Sequence, residues 1–126
     1  MSTIAKWVFA VAVFSLSLYA QLSRGSITGV LTDSSGAVIP AAKVSVRNIS
    51  NGAISRSTTN NNGQFTLPNL PPGSYEVVFE EPNFKRLVRS GIELGATEVA
   101  RVDASMEVGA VTESVQVSAE AEKLQT

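Results

Sequence analysis

The chain has 126 residues with ten Lys or Arg, eleven Asp or Glu and a net charge of −1, too even a balance to build the basic face that a nucleic acid requires. Cysteine and histidine are both absent, which excludes thiol nucleophiles, disulfide staples and zinc centres and removes the commonest general base and metal ligand. The fold must therefore be held by its own apolar core.

Residues 1–20 stand apart from the rest. Lys6 is the only charge ahead of the 14-residue apolar run Trp7–Ala20, and a short basic end followed by such a run is the layout of a secretory signal peptide, helical while it lasts. The run falls short of the roughly 20 residues that a helix needs to cross a bilayer, which favours cleavage after Ala20 over a permanent anchor. No Cys follows, so no lipid-modified N-terminus is expected. Removing 20 of 126 residues leaves 106, with Lys6 gone and the charge near −2. That length suits one domain burying about two thirds of its unfolded surface.

From Gly25 the chain reads as short β segments separated by turns. Ser26–Thr32 alternates loosely, placing Ile27 and Leu31 on one face, and Gly29 inside it predicts a bulge or a close backbone approach. Asp33-Ser34-Ser35-Gly36 is a turn in which Asp33 bonds the backbone two residues on and Gly36 takes the left-handed position. The loop to Ile39-Pro40 carries an aliphatic plug. Lys43–Asn48 has a clear period of two, with Val44 and Val46 inward; Asn51-Gly52 then turns a hairpin into Ile54–Thr58. Asn48-Ile49-Ser50 matches a glycosylation acceptor, which carries meaning only in a eukaryotic source.

Asn60–Tyr75 holds the densest punctuation. Asn60-Asn61-Asn62-Gly63 reverses the chain, Gln64–Leu67 alternates as a half-buried strand, and Pro68 should end it because proline has no donor for a ladder. Leu70, Pro71, Pro72 and Gly73 form a stiff loop into the strand Tyr75–Phe79. Phe84–Arg89 and the short Ile92–Leu94 read as two further strands, and Glu98–Met106 as another that buries Ala100, Val102, Ala104 and Met106. Strands at this spacing with no helical period between them predict an all-β fold, an antiparallel, seven-stranded, Greek-key-like β-sandwich preceded by the signal-peptide helix. Residues 25–108 form the sandwich. Residues 109–126 are a tail or linker, within which Val111–Ser118 is a possible extra strand.

No reactive constellation emerges. Asp33 and Asp103 are the only aspartates, the glutamates are scattered, and Asp33-Ser34-Ser35-Gly36 is turn chemistry rather than a calcium loop. We expect no enzyme, no catalytic residue, no cofactor and no metal. The one basic cluster, Lys85-Arg86 with Arg89, follows Glu80-Glu81 and reads as a mixed-charge strand face, which again argues against nucleic acid. Of the aromatics outside the leader, Phe65 and Phe79 belong in the core, Tyr75 packs a loop, and Phe84 alone is available as a sugar platform.

Two runs of residues carry a resemblance: Ile27-x-Gly29-Val30-x-x-Asp33-x-x-Gly36-Ala37-x-Ile39-Pro40-x-Ala42-x-Val44-x-Val46, and Thr59-x-x-x-Gly63-x-Phe65-x-Leu67-x-x-Leu70-Pro71-Pro72-Gly73-x-Tyr75-x-Val77. They resemble the carboxypeptidase regulatory-like domain over about residues 25–108. Asn62 departs from a frequent Asp, and Asn83-Phe84 from a usual Gly-Phe. The resemblance implies a transthyretin-like sandwich, classed with carbohydrate-binding-like folds and generally non-catalytic. A leader, this domain and then a segment like Val111–Ala119 resemble the start of large Oar-like TonB-dependent outer-membrane receptors. That implies export to the periplasm or outer membrane and a protein partner, or a plug and barrel in the same parent protein, with carbohydrate as the alternative ligand on fold analogy alone.

Overall fold

The computed structural model describes residues 24–110 and 112–118. The leader helix expected over residues 1–20 and the end of the tail lie outside them. Nine strands are formed among the described residues: β1 (Gly25–Asp33), β2 (Lys43–Asn48), β3 (Ile54–Thr58), β4 (Gln64–Leu70), β5 (Gly73–Glu80), β6 (Arg86–Leu94), β7 (Val99–Arg101), β8 (Ala104–Met106) and β9 (Ser114–Ser118). They make two sheets. One has the order β4-β1-β7, with β8 following β7 along the same side of β1; the other has the order β3-β2-β5-β6-β9.

The two-sheet, all-β architecture is the expected one, and the strand directions and count are corrected. β7 and β8 pair with β1 in parallel, and β9 pairs with β6 in parallel. The reason is that the chain changes sheets after Leu94 and again after Met106, so each returning strand lands beside a neighbour running the same way. Side-chain alternation is the same for either direction, so period alone cannot separate them.

Three elements differ from expectation in their limits. β4 continues through Pro68 to Leu70, because β4 is an edge strand and its register with β1 shifts between Ile27↔Leu67 and Gly25↔Leu70. Pro68 and Asn69 occupy that irregularity, with Asn69 at φ 59°, where no ladder donor is needed. Residues 86–94 form one strand rather than two: Tyr75 pairs with Ile92 and Val77 with Arg89, so Ser90 and Gly91 together oppose Glu76. Gly91 takes φ 75° at this bulge. Conversely, the single strand expected over 98–106 is broken at Val102-Asp103, where the Val102 N–H donates to the Thr28 carbonyl (2.7 Å). Phe84 does not begin β6; it forms an isolated antiparallel bridge with Val108.

Within β2, Val44 and Val46 are buried and stand opposite Phe79 and Val77 of β5. From the other sheet Ile27, Leu31, Phe65 and Leu67 meet them, with Val102, Ala104 and Met106 closing one side. The core expected from alternation is thus the observed one, except that Ala100 is only half-buried.

Candidate functional site

The motif residues Gly29, Asp33, Gly36, Pro40, Gly63, Phe65, Leu67, Leu70, Pro71, Pro72, Gly73 and Tyr75 do not converge on one reactive centre. They divide into two turns, one close approach and the core between them.

At the first turn, Asp33 Oδ1 accepts bonds from the Ser35 N–H (2.9 Å), the Ser35 hydroxyl (2.6 Å) and the Ala37 N–H (3.1 Å), while Gly36 sits at φ 89° in open space. The Ser35 hydroxyl and these backbone donors hold the Asp33 carboxyl below the usual carboxylate range. At the second, Asn60 Oδ1 accepts from the Asn62 and Gln64 N–H groups (2.9 and 3.0 Å), and Gly63 takes φ 73°. The two turns touch: the Leu31 N–H donates to the Gly63 carbonyl (2.8 Å) and the Ile39 N–H to the Leu31 carbonyl (3.0 Å). Pro40 is exposed beside them and precedes Ala41 at φ 58°.

Gly29 marks the close approach. A β-carbon there would lie 2.0 Å from the Val102 carbonyl oxygen and 2.9 Å from Phe65 Cζ. Leu70 and Tyr75 are buried at the far end, where the Tyr75 hydroxyl donates to the Pro71 carbonyl at 2.5 Å. Pro71 and Pro72 are exposed, and Gly73 begins β5.

Three residues have structural roles that the sequence reading did not assign. Thr59 is buried, its hydroxyl accepting from the Ala42 N–H (2.9 Å) and donating to the Ile39 carbonyl (2.7 Å). Asn48 is buried as well, its Oδ1 capping the hairpin by accepting from the Ser50 N–H (2.9 Å), so the apparent glycosylation acceptor is an internal turn residue. Its position just ahead of Asn51-Gly52 was the available signal. Asp103 bridges the sheet at the β7–β8 break, accepting from the Val30 N–H (2.9 Å) and from Arg101 Nε (3.0 Å). The Arg101 hydrogen bond, with the Val30 amide and the nearby charges of Arg101 and Arg89, holds this carboxyl low. No sequence signal marked it. Asn83 explains its own departure from the usual glycine: it sits at φ 73°, a conformation that Asn tolerates better than most residues.

Chemically, both aspartates are ionised structural acceptors rather than proton donors near neutral pH. The basic cluster is spent on ion pairs, Lys85 with Glu107 and Glu113 (3.6 and 3.5 Å) and Arg86 with Glu80 (3.3 Å), while Arg89 donates to the Asp103 carbonyl (2.9 Å). Among the described residues no three His, Cys, Asp or Glu side chains gather as metal ligands. A hollow of about 430 Å³ lies over Thr28, Ser57, Gln64, Thr66 and Arg101. Of its lining groups, the Thr28 hydroxyl bonds the Phe65 carbonyl and the Asn60 amide bonds Gln64 (3.0 and 3.1 Å). Phe65, Tyr75 and Phe79 are buried, which leaves Phe84, half-buried against the core, as the described aromatic with ring surface at the exterior. What the arrangement offers is a rigid scaffold with exposed strand faces and edges.

Comparison with known proteins agrees with that geometry. Residues 26–107 match the carboxypeptidase regulatory-like domain. Over 112 residues the chain is 32% identical to the TonB-dependent transporter Oar of Myxococcus xanthus, an alignment covering 87% of this chain and 10% of that protein. The chain therefore spans about one tenth of the length of this relative. Among solved structures, the Bacillus anthracis TIE protein is 27% identical with a TM-score of 0.58, covering 68% of this chain and 17% of that one. The Acinetobacter radioresistens catechol 1,2 dioxygenase superposes with a TM-score of 0.56 over 80% of this chain and 59% of its own, at 13% identity, a likeness of fold alone.

Proposed function

Because the chain belongs to the carboxypeptidase regulatory-like domain family, we propose that it is an exported, non-catalytic accessory module, working as the N-terminal periplasmic part of a TonB-dependent outer-membrane receptor. The observation that carries this reading is the likeness to the Oar transporter across most of the chain. Its role is mechanical and recognitional: the sandwich presents strand faces to a protein partner or to the plug and barrel of the same parent protein. Residues 1–20 serve as the leader, residues 25–108 as the module, and the segment from 109 as the connection to a plug. The structural use of Asp33 and Asp103, and the pairing of Lys85 and Arg86, support a role without chemistry.

Separated membranes of the source bacterium, probed with an antibody raised against residues 25–108, test the reading. Signal in the outer membrane on a polypeptide far larger than this chain supports the receptor form. Signal confined to the periplasm keeps the exported module and removes its place in a receptor. Recovery from the cytoplasm alone removes both.

A further inference from the structure

β9 lies beyond residue 107, where the family match ends, yet it is laid in register against β6, with Leu87 opposite Val115 and Arg89 opposite Val117. Val115 and Val117 are half-buried against the core, and Ser114 and Gln116 are exposed. The approach to the strand is fastened: the Arg86 N–H donates to the Glu113 carbonyl (2.8 Å), and Lys85 Nζ stands between Glu107 and Glu113. These features belong to an added strand. A domain complete by residue 107 would leave the β6 edge with unpaired backbone groups, and such an edge is a template for an extended segment. Two half-buried valines and exposed ion pairs hold far less than the fully buried residues of β5 do.

We infer that the edge of β6 is a strand-docking surface, and that Ser114–Ser118 is its dissociable occupant, joining and leaving as a unit while the remaining sandwich stays folded. The surface takes a parallel segment with aliphatic side chains two residues apart, the inner ones meeting the core beside Leu87. Docked, the strand covers the β6 edge; released, it leaves that edge open to another extended segment. Such docking needs only the sandwich and does not depend on the receptor reading.

Hydrogen exchange on the full chain tests it. Amides of residues 114–118 should exchange at least about tenfold faster than those of Val77–Phe79, which open only with the whole domain. In the full-length double variant Val115→Asp with Val117→Asp, protection of β6 should fall while that of β2 and β5 persists, and a synthetic peptide of residues 111–119 should restore it. Equal exchange in β9 and β5, loss of β5 protection in the variant, or no restoration by the peptide would each overturn the inference.

Discussion

Phe65 on β4 meets Phe79 on β5 edge to face, ring centroids 5.3 Å apart and planes inclined by 73°, so an aromatic contact joins one sheet to the other at the centre of the core. Both rings are almost fully buried, with the buried aliphatics Leu67 and Val77 two residues away on the same strand faces. Truncating either ring removes transfer energy and leaves a void between the layers.

Phe65→Ala should therefore lower stability by about 3–5 kcal/mol, a large share of the margin of a domain this size. Chemical denaturation of wild type and variant measures it. A variant that melts like wild type would show that the sheets are not joined here.

Gly29→Ala should destabilise by about 1–3 kcal/mol or more through overpacking, because the Val102 carbonyl occupies the side-chain position and Val102 is itself held in place by the hydrogen bond its N–H donates to the Thr28 carbonyl. Gly36→Asn is the control. Gly36 has open space but φ 89°, a strain that Asn bears better than most residues, so the exchange should cost less thermal stability than Gly29→Ala.

Tyr75 separates two contributions. Tyr75→Phe keeps the buried ring and loses the bond to the Pro71 carbonyl, at about 1 kcal/mol. Tyr75→Ala loses the ring too and should cost about 3–5 kcal/mol. Equal losses for the two variants would mean that the ring itself contributes nothing.

Thr59→Val keeps the shape but removes the hydroxyl that serves both the Ala42 amide and the Ile39 carbonyl. Leaving those buried groups unpaired should cost about 1–3 kcal/mol. Thr59→Ser, which keeps the hydroxyl, should recover most of that loss in the same unfolding assay.

Asp103 sets a pH dependence whose sign comes from its lowered pKa. An unfolded Asp titrates near 3.9, so the folded carboxylate contributes in full above that value and loses its contribution as pH falls through its lower folded pKa. Asp103→Asn should be less stable than wild type at pH 7, and the gap in Tm should close in strong acid. A gap of constant size across the acid range would mean that the charge on Asp103 does not matter to folding.

The residues that period-two alternation puts inward in the 43–48, 64–67 and 75–79 segments are all buried, because on a pleated strand face is fixed by position alone; Val78, on the other face of β5, is buried as well, which alternation did not indicate. Turn chemistry at Asp33–Gly36, Asn51-Gly52 and Asn60–Gly63 was equally legible, since each depends on the backbone freedom or short side chain of one or two local residues. The absence of histidine and cysteine bounded the available chemistry before any fold was known. Tertiary structure alone decided which strands are neighbours and in which direction. β7, β8 and β9 lie parallel to their partners because the chain crosses between sheets, and nothing in the alternation of such short strands records that path. The work of Asp103 and Thr59 was hidden for the same reason: their partners Val30 and Ile39 stand 73 and 20 residues away, and only the packed sandwich brings them within bonding distance.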